Sequence, residues 1–553
     1  MRTWRLLLII FFLSAFGGGL LFRLAVLQIA QHGFYRALAQ GQQSLPQITT
    51  GERGDIFFTD KEGERYTAAA TKKTPFAFAT PREVANTKET AQALADILNL
   101  DKELVLEKLS PKESFFEVLK KDLTQKEEQE LQGLDAPGVY VREESVRFYP
   151  FGTLASTVLG FTNQEWQGQY GIEKYYDNLL KGKEGLQRIL RSVAGYLSSG
   201  WQDTLRHGED VLLTLDVNIQ SMAETLLKEA KENLHIEGGT IIVMDPVSGS
   251  ILALANEPGF NPNEYSQVRD LSVFQNSSVQ SIFEPGSVFK PLTMASGIDS
   301  GRITPLTTYK DKGVVRIGGY KVLNYDERVW GERTMTEVLE YSINTGAVFA
   351  EAATGHQTFV DYLSRFGMFE PTGIDLAGEI YSANKELKKG YEINYATASF
   401  GQGIEITPMQ LVRAYSALAN GGRLPTPRLA QQDPVLSLPV ISEKTASQVT
   451  AMLVSVTENG FAKAARVPGY YLAGKTGTAQ ISNSALGIDK PGYSNKTVQS
   501  FIGYAPAFEP RFLALVKLNN PKTKTAEYSA IPIFQELAKY ILDYYEIPPD
   551  YEK

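Results

Sequence analysis

Hydrophobic and polar positions divide the chain into three stretches of different character. From Leu6 to Phe22 the run is unbroken and weakly polar, long enough for most of a bilayer core, and a helix-like segment continues from Arg23 to Ile29. Between about His32 and Arg206 polar loops alternate with a charge-rich helical region, Asp101 to Gln132. There Leu104, Val105, Leu109, Phe115, Phe116, Val118 and Leu119 stand among many Lys and Glu, and Pro111 cuts the pattern into separate helices. From Glu209 onward the pattern changes again. Val211 to Leu215 reads as a strand ending in Asp216, and a helical pattern follows from Val217 to Asn233. Gly239 to Met244 and Ile251 to Ala255, joined by Asp245-Pro246 and Ser248-Gly249, read as a hairpin. A mostly helical middle follows, then a strand around Tyr470 to Ile481 and a terminal helix near Ile533 to Tyr545. Strands at both ends of this segment predict an α/β (α+β) domain whose sheet is assembled from its two ends and flanked by helices.

The expected organisation is therefore 1–30 as a short tail and membrane anchor, 31–206 as a first domain, and 207–553 as a second. Arg2 and Arg5 before the apolar run favour a cytoplasmic N-terminus and an extracytoplasmic body, although Arg23 weakens the charge asymmetry. A cleaved signal peptide is the alternative. No small-x-small cleavage site follows the run, which favours an uncleaved anchor. Ser14, Ala15, Gly18 and Gly19 place small residues one helical turn apart, where another membrane helix could approach closely or where small residues are simply tolerated.

Composition removes several classes of function. A net charge of −8 and a pI of 5.4 argue against nucleic-acid binding, so an anionic substrate must be held by local charge. With no cysteine, disulfides, thiolate metal sites and a catalytic thiol are impossible. Neither a metal nor a cofactor is called for. Histidine is scarce, with four in 553 residues.

The candidate chemistry needs none of these groups. Phe283-Glu284-Pro285-Gly286-Ser287-Val288-Phe289-Lys290-Pro291 holds a Ser-x-x-Lys pair behind a Pro-Gly turn. If Ser287 opens a helix, Lys290 lies on the same face and its amine reaches the hydroxyl. Beside Val288 and Phe289 the amine is desolvated and loses its proton more readily, as a general base must. Spacing alone is weak evidence: about two such pairs are expected in a chain this long. The second, Ser382 and Lys385, lies in a polar stretch with no Pro-Gly turn. Ser342-Ile343-Asn344 falls between two helical patterns, where it could relay a proton and hold a substrate amide or could merely cap a helix. Lys475-Thr476-Gly477-Thr478 reads as a strand beside an open cleft. Lys475 and Thr478 would bind a carboxylate, Gly477 would leave room for a substrate backbone, and the Thr478 N–H could complete an oxyanion hole with that of Ser287.

In this order the three motifs resemble those of a monofunctional class B penicillin-binding protein, a peptidoglycan D,D-transpeptidase. Gly401-Gln402-Gly403, Ile406-Thr407-Pro408 and Ser500 to Pro506 also resemble family segments. Arg53-Gly54-Asp55-Ile56, Arg147-Phe148-Tyr149-Pro150 and Gly171 to Tyr175 are similar to motifs of the class B N-terminal pedestal, which β-lactamases and soluble carboxypeptidases lack. The resemblance implies a penicillin-binding fold behind a pedestal of the dimerisation type. It implies Ser287 as nucleophile on a D-Ala-D-Ala stem peptide, Lys290 as base, Ser342 and Asn344 in proton transfer and substrate binding, and Lys475 to Thr478 on the substrate carboxylate. β-Lactams should acylate the same serine. A D,D-carboxypeptidase, a β-lactam hydrolase and a non-enzymatic β-lactam sensor or scaffold are the rivals. A membrane-embedded glycosyltransferase is the implied partner for glycan polymerisation, and the chain length leans towards a division rather than an elongation role. Two departures, the long segment from Arg53-Gly54 to Asp60 and Thr157 where many members have histidine, bear on subfamily and not on chemistry.

Overall fold

The computed structural model describes residues 3–31, 44–191, 197–201, 206–432 and 437–552, in two compact units. Arg2, and the junction at 32–43 between the expected anchor and first domain, lie outside the described residues. The first unit comprises residues 1–54 and 179–209. Its helix Thr3–Ala25 continues as a π-helical turn, Val26–Ala30, and Leu7–Ile29 is long and apolar enough to cross a membrane. Strands Ser44–Thr50, Glu184–Arg191 and Leu197–Trp201 form an antiparallel sheet in the same unit.

The second unit joins 55–178 to 210–553. Its N-terminal sheet contains Ile56–Thr59, the long strand Arg65–Ala79, Glu117–Lys120 and Val139–Phe148. The expected helical region splits accordingly. Asp101 caps a helix Lys102–Leu109 and a Thr124/Glu127 capping box opens Gln125–Gly133, but Phe115 to Leu119 leads into a strand. Pro111 ends the first helix, and the aromatic and β-branched residues after it suit a half-buried pleat better than a helix face.

Val211–Asp216 is a strand, as expected, but it pairs in parallel with Ile56–Thr59 and so completes the N-terminal sheet. All of its residues but the half-buried Leu212 are buried, and Thr214 Oγ1 donates to the Ile251 carbonyl at 2.7 Å. Within the second unit, this strand thus packs between the N-terminal sheet and the strand Ile251–Glu257.

The three pedestal-type motifs meet in space. Arg147 Nε lies 2.7 Å from Glu173 Oε1 with both side chains buried, Tyr149 Oη is 3.3 Å from the same oxygen, and Asp55 is 3.8 Å from Arg147. Breaking a buried pair from one side leaves the other charge uncompensated. Glu173→Gln is therefore expected to cost about 3 kcal/mol, read as a lower unfolding midpoint by calorimetry. An unchanged midpoint would show that the pair is not a stabilising contact.

The second sheet is antiparallel throughout, in the order Ile251–Glu257, Gly238–Met244, Phe512–Asn519, Tyr493–Ala505, Ala473–Ser482. It is assembled from both ends of the segment, as the strand pattern predicts. Helices Val217–Leu234 and Ala530–Tyr544 pack on it and on each other, while Lys290–Asp299, Pro408–Ala419 and Glu443–Glu458 form the helical layer that carries the site. Ala473–Ser482, which holds Lys475, is an edge strand, so one row of its backbone groups is open to an added strand.

Candidate active site

Gly286 takes φ +62° at the turn before Ser287, and its N–H donates to the Gly401 carbonyl at 2.9 Å. Gly401 itself has φ +78°, and a Cβ there would stand 2.2 Å from the Gly286 carbonyl oxygen. Only glycine fits this crossing. Reciprocal backbone hydrogen bonds between Phe283 and Ile406, an isolated antiparallel bridge, fix the segment leading into the turn. Ser287 then lies in a short 3-10 turn, Gly286–Phe289, that runs on into the helix Lys290–Asp299 with Pro291 in its first turn.

The helix brings Lys290 Nζ to 3.1 Å from Ser287 Oγ. The amine is fully buried and also lies 2.5 Å from the Ser342 carbonyl, 2.8 Å from Asn344 Oδ1 and 3.2 Å from Ser342 Oγ. Burial, helped by the positive charge of Lys475, holds its pKa well below the ordinary lysine range. Ser342 connects helices Met335–Glu340 and Asn344–Thr354 with φ +54°, a left-handed conformation that serine adopts at a cost of order 1–3 kcal/mol. That twist turns both its carbonyl and its hydroxyl towards lysine amines. Lys475 Nζ lies 3.0 Å from Ser342 Oγ and 3.3 Å from Thr476 Oγ1, and burial pushes its pKa down to about 7.

All three expected motifs thus converge on one hydroxyl, Ser342 Oγ, between two buried amines. Ser382 is elsewhere. Its hydroxyl donates to Glu405 at 3.1 Å, and Lys385 is exposed. Thr476 and Thr478 line the cleft, and Thr478 Oγ1 accepts from the Ala526 N–H at 3.3 Å. The space at Gly477 is taken by the turn that carries Ser287. A Cβ there would lie 2.7 Å from Ser500 Oγ, 3.0 Å from Val288 Cγ1 and 3.1 Å from the Pro285 carbonyl. The outer edge of the same strand carries no paired strand among the described residues.

Residues beyond the expected set orient the site. Asn344 Nδ2 donates to the Leu323 carbonyl at 2.9 Å, which fixes Oδ1 towards Lys290. Beneath it the buried Asp311 accepts from Thr345 Oγ1 at 2.7 Å, Asn324 Nδ2 at 2.9 Å and the Trp330 N–H at 2.8 Å. Asp311-Lys312-Gly313 reads as a turn in the sequence, where nothing marks its link to Thr345. The resulting cleft of about 690 Å³ runs from Thr476, Thr478 and Gln480 across Ser287 and Ser342 to Tyr325, Arg328 and Phe461.

Residues 239–539 match the penicillin binding protein transpeptidase domain, and 48–213 match the penicillin-binding protein dimerisation domain. The chain is 35% identical to Stage V sporulation protein D of Bacillus subtilis, over 85% of this chain and 74% of that one. It is 31% identical to peptidoglycan D,D-transpeptidase FtsI of Escherichia coli, over 76% of this chain and 71% of that one. The fold is also that of a peptidoglycan synthetase from Bifidobacterium adolescentis, with a TM-score of 0.70, 24% identity and coverage of 92% of this chain and 98% of that one.

Proposed function

Because the chain belongs to the class B penicillin-binding proteins and is a peptidoglycan D,D-transpeptidase, acting on stem peptides and binding β-lactams, we propose that Ser287 is its nucleophile and Lys290 the base. The observation that carries this is the set of partners around Lys290 Nζ. A neutral amine has two N–H groups and one lone pair. The Ser342 carbonyl and Asn344 Oδ1 take the two hydrogens, which leaves the lone pair for the Ser287 proton.

In the proposed reaction Ser287 Oγ bonds to the penultimate D-Ala carbonyl carbon, and its proton passes to Lys290. The N–H groups of Ser287 and Thr478 hold the oxyanion. The C–N bond to terminal D-Ala then breaks, and the proton reaches the leaving nitrogen through Ser342 Oγ. Lys475 with the Thr476 and Thr478 hydroxyls holds the terminal carboxylate, while Gly477 seats the nucleophile turn. An amine of a second stem peptide resolves the ester. Proteolysis and mass spectrometry of the penicillin-labelled protein are expected to place the adduct on the fragment bearing Ser287; an adduct on Ser342 or Ser382 would overturn the assignment.

The role of Lys475 sets a pH dependence. It attracts a carboxylate only when protonated, and its pKa of about 7 means the charge fades as pH rises through neutrality. The kcat/KM for acylation by penicillin reports the free enzyme, so it is expected to fall on the alkaline side with a midpoint near 7. Lys475→Arg keeps its charge and should carry that limb beyond pH 9 or so. An alkaline limb that did not move would remove Lys475 from carboxylate binding.

The domain reading proposed is 31–206 as pedestal and 207–553 as transpeptidase, behind a single anchor with its N-terminus in the cytoplasm. The basic residues before the apolar helix support that orientation. Neither matched domain polymerises glycan, which supports a membrane-embedded glycosyltransferase as partner.

A further inference from the structure

Ser287 and Lys290 share one turn of backbone, and the hydrogen-bond ladder of that turn has a gap. The Lys290 N–H donates to the Ser287 carbonyl, but the next residue, Pro291, has no N–H to give the Val288 carbonyl in the same 3-10 pattern. A side chain from another helix donates there instead. Tyr415, in Pro408–Ala419, gives its hydroxyl hydrogen to the Val288 carbonyl at 2.5 Å. We propose that Tyr415 is a positioning residue of the transpeptidase, whose phenol anchors the Val288 carbonyl and so holds Ser287 in register with Lys290 and with the strand of Lys475 and Thr478. The inference rests on the reading of Ser287 as the nucleophile.

Val288 is held by its side chain as well. Gly477 of the strand Ala473–Ser482 comes so close that an added Cβ would stand 3.0 Å from Val288 Cγ1. One residue thus meets the helix Pro408–Ala419 through its carbonyl and the edge strand through its side chain. The proposed oxyanion donors adjoin this contact, since the Ser287 N–H precedes Val288 in the chain and the Thr478 N–H follows Gly477. A shift of the turn would therefore change two separations together, Ser287 to Lys290 and Ser287 to the second oxyanion donor.

The surroundings of Tyr415 keep its hydroxyl in place. The side chain is fully buried, and its helix opens with a Thr407/Gln410 capping box whose Gln410 Nε2 also donates to the Glu370 carbonyl at 2.8 Å. Ile406, just before that helix, pairs with Phe283 at the start of the nucleophile segment. Burial pushes the phenol pKa well above its ordinary value, so the donor hydrogen is retained at every pH where acylation is measured. Tyr504 offers a contrast. It is equally buried, but its hydroxyl lies 2.7 Å from Thr450 Oγ1 and not on the turn.

The test is the kinetics of penicillin acylation, resolved into a dissociation constant for the non-covalent complex and a first-order acylation constant, together with the first-order rate of deacylation. First-order constants do not depend on how much of the protein is folded. Tyr415→Phe keeps the ring and removes only the hydroxyl. It is expected to slow acylation and deacylation each about tenfold, since both run through the same oxyanion donors, and to leave the dissociation constant unchanged. Tyr504→Phe removes a comparable buried hydroxyl and should change neither rate. A purely structural role for Tyr415 would lower the unfolding midpoint and stop there, so wild-type rates in Tyr415→Phe would overturn the proposal. An equal slowing in Tyr504→Phe, or weaker binding at an unchanged acylation constant, would overturn it too. An adduct of the wild-type protein on a residue other than Ser287 would instead bring down the reading beneath it.

Discussion

Ser287→Ala loses covalent labelling by fluorescent penicillin, with acylation slowed on the order of 10⁶-fold, while Ser382→Ala labels as the parent does. The magnitude follows from removing the atom proposed to form the bond, since neither the proposed oxyanion donors nor Lys475 can acylate alone. Alanine fits the site without strain, because Ser287 Oγ projects into the cleft and its loss removes one hydrogen bond from Lys290. The unfolding midpoint should therefore shift little, which separates lost chemistry from lost fold. The contrast with Ser382 is sharp because spacing does not distinguish the two serines. Ser382 hydrogen-bonds a carboxylate, Glu405, and the lysine three residues on, Lys385, is exposed. Persistent labelling of Ser287→Ala, with loss in Ser382→Ala, would reverse the assignment.

What the sequence made legible was local. The Ser-x-x-Lys geometry is a property of one helical turn, and the hairpin 239–255 and the helix 217–234 are properties of short periodic runs, so each could be read before the fold was known. The region after Pro111 was harder, because Phe115 to Leu119 is short, apolar and compatible with either period. Interactions across long separations left no trace in the pattern. The parallel pairing of Val211 with Ile56 joins residues 155 apart in sequence, and the Thr345 bond to Asp311 spans 34. Gly477 shows the same limit from another side. Glycine announces that something comes close, but only the packing tells that the neighbours are Ser500, Val288 and Pro285 and not a substrate.

Lys290→Arg retains the positive charge but loses general-base function, so acylation is expected to fall about 10²- to 10⁴-fold. Guanidinium does not deprotonate in proteins, so raising the pH to 9 should recover nothing. Lys290→Met tests the same role with the charge removed, and should be as inactive in labelling. Its stability separates the amine's chemistry from its packing. Burial lowers the pKa of Lys290 in the folded protein, so the unfolded chain binds the extra proton, and wild-type stability rises with pH from the folded pKa up to about 10.5. Methionine has no such term. The midpoint of Lys290→Met relative to wild type should therefore be most favourable at low pH and decline as pH rises. A partial loss of activity that followed the midpoint at every pH would show that Lys290 only supports the fold. An inactive variant whose relative stability falls with pH instead identifies a lysine kept neutral by burial and held ready to take the Ser287 proton.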